Sequence, residues 1–311
     1  MSALPRAAAT ALGVVAAAGA GALAYGSLIE RNRFTLRTAT VEVLPPGADD
    51  IRVLHLSDLH MAPWQTHKQE WVRELSRLKP DLVVDTGDNL GHRDGLSGIR
   101  SALEVFAGVP GVYVNGSNDY FGPSPKNPLR YFMGPSKHAH SSERLDTAAL
   151  EGFFDSLGWK NLNNRAVTTE VNGTIIDFFG VDDPHRRFDK LERIPGALDE
   201  LRENDDRGPR VSIGVAHAPY QYVLNSFVTH GAQVMFAGHT HGGQVCVPGF
   251  GALVTNCDIP RDQVKGLSLW RHGFHSAHLN VSAGLGTSIY APVRFACPPE
   301  ATLLTLTARA S

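Results

Sequence analysis

The chain has 311 residues, of which 42% are hydrophobic and 19% charged, with a formal net charge of −2 at pH 7. That is apolar chain enough for one large core and too much for a disordered polymer. The near-neutral balance, with no basic run and no Lys-rich arm, excludes a global attraction to nucleic acid, and no specific nucleic-acid partner is expected.

Residues 7–29 carry no charge, a stretch of roughly 23 residues that is long enough to cross a bilayer. It is rich in Ala and Gly, and its strongly apolar residues are Leu12, Val14, Val15, Leu23, Leu28 and Ile29. Together they favour insertion by only ~2 to 4 kcal/mol, which is adequate without being generous. Ala22-Leu23-Ala24 resembles a small-x-small cleavage site, so a secretory signal is the rival reading. Arg31, Arg33 and Arg37 follow the segment while Arg6 alone precedes it. By the positive-inside rule this favours a retained anchor in the plasma membrane with the rest of the chain in the cytoplasm, an extracytoplasmic placement remaining the alternative. Residues 1–30 are therefore read as anchor or signal segment, 31–49 as a linker, and 50–311 as the domain. Within the linker, the alternation from Thr38 to Leu44 suggests an edge strand before a Pro45-Pro46-Gly47 turn.

Five apolar runs read as buried strands, and each ends in metal-ligand residue types. Ile51–Leu56 leads into Ser57-Asp58-Leu59-His60, and Leu82–Asp85 into Thr86-Gly87-Asp88-Asn89. Residues 112–114 lead into Asn115-Gly116-Ser117-Asn118-Asp119, and 211–216 into His217. The last run, 232–237, leads into Gly238-His239-Thr240-His241-Gly242-Gly243. Between these runs, helical spacing covers 65–78, 97–106, 146–157 and 219–228. A hairpin is expected at 166–171 and 174–181 around Asn172-Gly173, and 188–203 reads as helical with a break at Pro195-Gly196. Residues 120–144 form a long aperiodic stretch whose Lys126, Arg130 and Lys137 are candidates to hold a headgroup. Asp182-Asp183-Pro184-His185 reads as a loop or substrate rim, and the Gly-rich 282–294 segment as a neighbour of the site. Strands alternating with helices, then β-rich hairpins, fit a four-layer α/β/β/α sandwich of two mixed sheets flanked by helices.

Open α/β sheets place ligands beyond the carboxyl ends of their strands, which is where these Asp, His and Asn residues fall. In extended chain residues i and i+2 point the same way, so His239 and His241 can converge on one point. Imidazoles and carboxylates without a nearby thiol suit Mn, Fe or Zn. The three cysteines, Cys246, Cys257 and Cys297, lack zinc-finger spacing and read as buried apolar fillers, with a Cys246–Cys257 bridge open only outside the cytoplasm.

The ordered set Asp58-Leu59-His60, Gly87-Asp88, Gly116-Ser117-Asn118-Asp119, His217 and Gly238-His239-Thr240-His241 resembles the calcineurin-like metallophosphoesterases, over about residue 50 to the C-terminus. Gly284-Leu285-Gly286-Thr287-Ser288 and Cys297-Pro298-Pro299-Glu300 are similar to the ending of a membrane-associated bacterial branch of that family. The resemblance implies the same four-layer sandwich and a pair of divalent metals, with Mn favoured. One metal would be held by Asp58, His60 and His241, the other by His217, His239 and an Asn side chain, with Asp88 bridging them. Asp88, Asn118 and Asp119 are the implied catalytic residues. Where the family has Gly-Asn-His-Asp, this chain has Gly-Ser-Asn-Asp. Aligned without a gap, Ser117 takes the ligand position and Asn118 that of the His acting on the leaving oxygen. Shifted by one, Asn118 is itself the ligand, the reading adopted here. Either way the usual proton donor is missing, a loss typically worth ~10² to 10⁴ in rate; His138 and His140 are candidates to replace it by proximity in sequence. The implied activity is hydrolysis of a phosphodiester or pyrophosphate, with a lipid-linked substrate favoured by the anchor. The alternatives are a nucleotide phosphodiesterase or nuclease, and a metal-binding pseudoenzyme serving as an anchored scaffold.

Overall fold

The computed structural model describes residues 4–123, 143–203, 205 and 207–310. Its β-branched and aliphatic runs pair into two six-stranded sheets. The first has the order β1 (Thr35–Leu44), β14 (Glu300–Ala308), β2 (Ile51–Leu56), β3 (Leu82–Asp85), β4 (Gly111–Tyr113), β5 (Lys160–Asn161). The second has the order β12 (Gly266–His272), β13 (His275–Val281), β9 (Val234–Ala237), β8 (Arg210–Val215), β7 (Thr174–Gly180), β6 (Arg165–Val171). Strands β2 to β5 are mutually parallel, as are β7, β8, β9 and β13, while β14 runs antiparallel to β2. A separate two-stranded hairpin joins β10 (Cys246–Val247) to β11 (Gly251–Ala252).

The parallel strands β3 and β9 are buried along their whole length. Both faces of the sheet are covered there, so their sequences read as continuous apolar runs rather than alternating ones. Between the sheets, Val53, Val84 and Val112 of the first meet Phe178, Ile213 and Phe236 of the second. Residues one step along the strands, such as Leu54 and Val83, face outward onto Val72, Ile99 and Phe154. These belong to α2 (Thr66–Glu74), α3 (Gly95–Leu103) and α5 (Thr147–Leu157). The second sheet's outer face, with Phe179 and Met235, packs on Leu198, Leu224 and Phe227 of α6 (Ile194–Glu203) and α7 (Gln221–Thr229). The expected α/β/β/α sandwich is therefore the observed one. Phe236 lies edge-on to His55 with ring centroids 5.0 Å apart. Phe236→Ala should cost about 3–5 kcal/mol through lost burial and the cavity left behind, read as a lower urea midpoint at unchanged slope.

The edge strand expected within 31–49 forms as the ten-residue β1, paired in parallel with β14 and burying Val41, Val43 and Leu44. Elsewhere the chain departs from the sequence expectations. Pro195 does not break a helix. It sits in the first turn of α6, where its missing N–H has no intrahelical partner to lose. Cys257 packs under the second sheet while Cys246 and Cys297 share a different small cluster, and all three thiols are free, so the Cys246–Cys257 bridge is not formed. Lys126, Arg130, Lys137, His138 and His140 lie outside the described residues. At the N-terminus α1 (Leu4–Leu28) is long and apolar enough to cross a membrane and is almost entirely uncovered by the domain.

Candidate metal centre

Each loop that follows a buried strand bends back over the strand ends. Asp58, His60, Asp88, His239 and His241 all have φ between 40° and 65°, the left-handed region that non-glycine residues rarely occupy. Such positions cost of order 1 kcal/mol or more each, and they gather at functional sites. The bends are possible because glycines let backbones touch. A Cβ on Gly238 would collide with Ser57 Oγ, and one on Gly116 with the Asp88 carboxylate.

The result is a convergence of nitrogen and oxygen donors. His60 Nε2 and His241 Nε2 are 3.2 Å apart, and Asp58 Oδ1 lies 3.5 Å from the latter and 4.0 Å from the former. Asp88 stands at the centre, with Oδ2 3.5 Å from His60 Nε2 and Oδ1 3.6 Å from His217 Nε2. His239 Nδ1 is 3.2 Å from His217 Nε2. Among the described residues two groups have the spacing to hold an ion: Asp58, His60 and His241, and Asp58, Asp88 and His217.

The outward ring nitrogens decide which lone pairs face inward. His217 Nδ1 donates to Thr86 O at 2.7 Å, while His241 Nδ1 lies 3.2 Å from Gly286 O and His239 Nε2 lies against Asn256, 3.3 Å from its carbonyl and 3.1 Å from its amide nitrogen. In each case the other nitrogen is turned into the cluster, the orientation that hydrogen-bonding partners behind the ring give to metal-binding imidazoles. Asp58 Oδ1 is buried and has no hydrogen-bond donor. A carboxylate oxygen left bare among imidazole lone pairs fits a divalent cation well, and borderline metals best.

Charge within the cluster tells the same story. Burial takes the His60 pKa down to about 4 and pushes His239 and His241 well below the ordinary value, so these rings are neutral. Burial would lift Asp88, but His217 and His60 outweigh it and hold its carboxyl well below the usual range. Burial likewise opposes a proton on His217, yet Asp88, Asp58 and Asp183 prevail and raise its pKa to about 9. Without a metal, one proton on His217 is thus the cluster's cation. A metal entering beside Asp88 must displace it, so metal affinity should rise about tenfold per pH unit while pH stays below the His217 pKa. Calorimetric titration with Mn²⁺ from about pH 6 to 8 checks this; a flat affinity would refute the displacement.

In the third loop Ser117 and Asn118 turn to different partners. Ser117 Oγ donates to buried Asp183, away from the cluster. Asn118 donates both its backbone N–H and its side-chain Nδ2 to the two Asp88 oxygens, each at 2.7 Å. Asp119 accepts from the backbone N–H groups of Gly116, Asp88, Asn89 and Leu90, bracketing two loops together from behind. The Asp182–His185 stretch lies at the rim, with the His185 and His239 rings 4.5 Å apart.

Two buried cations escaped sequence reasoning. Arg294 has no exposed surface and donates to Ala283 O, Gly284 O, Gly286 O and Cys297 O. Lys68 Nζ donates to Leu59 O at 2.6 Å. Both brace the loops that carry His60 and seat His241. Lys68 stands near no recognisable motif, and Arg294 ends the Gly-rich 282–294 segment without any signal there that its side chain is buried.

Comparison with known proteins points one way. The family model of the calcineurin-like phosphoesterases matches residues 51–243. A Bacillus subtilis (strain 168) metallophosphoesterase, YkuE, is 23% identical over 94% of this chain and 95% of its own length. A zebrafish transmembrane protein with metallophosphoesterase domain is 26% identical over 66% of this chain and 43% of its own. Among solved structures, purple acid phosphatase PPD1 from yellow lupin seeds aligns with a TM-score of 0.38 at 14% identity, covering 63% of this chain and 39% of that one.

Proposed function

The chain belongs to the calcineurin-like phosphoesterase family, and from that premise we propose a membrane-anchored enzyme that cleaves a phosphodiester or pyrophosphate in a lipid-linked substrate at a dinuclear metal centre. It is a metal-dependent hydrolase of phosphoric esters. The observation that carries the finer reading is the Asp88 carboxylate, with one oxygen turned to His60 and the other to His217. In this reading Asp58, His60 and His241 hold one ion, His217, His239 and the Asn118 oxygen the second, and Asp88 serves both. Mn is the favoured metal, with Fe and Zn as alternatives.

A bound pair of divalent ions would neutralise the phosphoryl charge and lower the pKa of water. The chain's own groups do the rest. Thr86, Gly286 and Asn256 hold the imidazole rings in orientation from behind. The Asn118 amide donates to Asp88 and holds its carboxylate in place. With Asn118 as a ligand no side chain of this loop can protonate a leaving oxygen, which favours substrates whose leaving group departs as a stable anion, as a phosphate does from a pyrophosphate. Residues 1–30 would be the anchor and the remainder the catalytic body, on the cytoplasmic face by the Arg31, Arg33 and Arg37 excess.

The test is to load the full chain in detergent micelles with Mn²⁺, count bound metal, and compare hydrolysis of lipid-linked pyrophosphates with that of cyclic and oligonucleotides. Two metals per chain and faster cleavage of the lipid-linked compounds are expected. Faster nucleotide cleavage would overturn the substrate assignment, and no bound metal would overturn the centre itself.

A further inference from the structure

The last turn of α1 is built into the wall of the metal centre. Gly26 O accepts from Arg294 N–H at 3.2 Å, and the Glu30 carboxylate accepts from the Ala296 and Cys297 N–H groups. Tyr25 meets Phe295 edge to face, with centroids 6.3 Å apart. On its other side Phe295 O accepts from Cys246 N–H at 2.8 Å, so the β10–β11 hairpin is the next element along. Gln244 Nε2 donates to Ala291 O, closing the gap between that hairpin and Tyr290.

This hairpin is oddly made for water. Its turn reads Val247-Pro248-Gly249-Phe250, and each strand has only two residues, a hairpin too short to hold itself by pairing. Phe250 is 59% exposed and Val247 43%, and neighbouring Tyr290 is 50% exposed. Leu28 and Ile29 at the end of α1 are exposed as well. Arg261 lies over the Phe250 ring at 4.5 Å. An aromatic tip bearing a cation, beside an apolar helix end with Tyr25 and Arg33, has the composition of a membrane interface, where aromatic rings sit at headgroup depth and cations meet lipid phosphates. A cavity of about 310 Å³ between Tyr25, Arg33 and Phe295 opens on the same rim.

We propose that the tip of the β10–β11 hairpin, together with Tyr290, dips into the bilayer that α1 crosses, and holds the mouth of the metal centre at headgroup level. The occupant of this surface is lipid. The inference rests on the anchor reading proposed above and extends it from tethering to orientation. His241 precedes β10 by five residues, so a phosphoryl group at the bilayer surface would meet the centre without leaving the membrane. The tip Phe274, in the turn between β12 and β13 at the edge of the second sheet, is fully exposed and serves as the control.

The experiment uses the full chain in vesicles of phosphatidylethanolamine and phosphatidylglycerol, with a nitroxide attached at Phe250→Cys or at Phe274→Cys. The native cysteines are buried and free, and should label little. At 250, collisions with oxygen should exceed those with a water-soluble nickel chelate severalfold, with the order reversed at 274. Equal nickel access at the two positions would overturn the proposal. In parallel, V247D combined with F250D should slow hydrolysis of a vesicle-embedded lipid pyrophosphate about tenfold and leave bis(4-nitrophenyl) phosphate unaffected. Equal loss on both substrates would also count against it. The spin-label result does not depend on turnover, so an inserted hairpin in a chain that cleaves no lipid would sink the substrate reading alone.

Discussion

Asp88→Asn should cost the protein at least ~10² in metal affinity and about 10³ in phosphodiester turnover. Asp88 offers its two oxygens to different imidazoles, at 3.5 Å and 3.6 Å, and an amide can present only one of them as an acceptor. The other would become an NH₂ group facing either a cation or the Asn118 amide, which already donates to Asp88. The substitution also removes the charge that holds a proton on His217, so the pH dependence of metal binding should flatten along with the affinity. Metal content after gel filtration and initial rates with Mn²⁺ measure both effects. Asp94→Asn, at an exposed position, is the control and should behave as the parent. A variant keeping two metals and turnover within about threefold of the parent would mean that Asp88 is not the shared ligand.

The second large effect is expected from Arg294→Leu. This guanidinium is buried, and among the described residues no carboxylate forms an ion pair with it. Burial lowers its pKa accordingly. What keeps it charged and in place is a set of backbone carbonyls: Ala283 O at 2.7 Å, Gly284 O at 3.0 Å, Gly286 O at 2.7 Å and Cys297 O at 3.3 Å. Leucine would leave them without a donor, at about 1–3 kcal/mol for each one that water cannot reach. Losing a buried charge returns part of that, so a net loss near 3 kcal/mol is expected. The damage should spread to metal binding, because Gly286 O lies against His241 Nδ1 and Gly284 packs against Asp58. Arg294→Lys should recover only part of either property, since an ammonium has three donors and no planar fork. Thermal unfolding of the full chain in micelles, with and without Mn²⁺, reads both. A melting point within about 2 °C of the parent for Arg294→Leu would show the clamp to be dispensable.

Much of this protein is legible in the residues alone. The apolar runs before Asp58, Asp88, Asn115, His217 and Gly238 give the strands, because a strand buried on both faces needs an unbroken apolar stretch. The hairpin at Asn172-Gly173 follows from two adjacent residues that tolerate positive φ, observed at 49° and 74°. Ligand residue types are local facts of the chain, and so is the order in which they occur. The sequence also carries the absence of a His beside Asp119 and the uncharged stretch 7–29 near the N-terminus.

Other features exist only once distant segments meet. That Asp88 lies between His60 and His217, that Ser117 turns to Asp183 while Asn118 turns to Asp88, and that Arg294 braces His241 all depend on contacts across dozens to hundreds of residues. The same is true of the partner of β1, since a strand is legible from Thr38 to Leu44 but its parallel pairing with β14 is not. The left-handed backbone at Asp58, His60, Asp88, His239 and His241 is the clearest case, since local propensity opposes it at every one of these positions. Only the packing of two sheets and their close-fitting glycines can hold five such bends together. The sequence by itself determined which donors the chain carries and which strands deliver them; the tertiary structure decided where their lone pairs point, because that direction is set by strain no single segment would adopt alone.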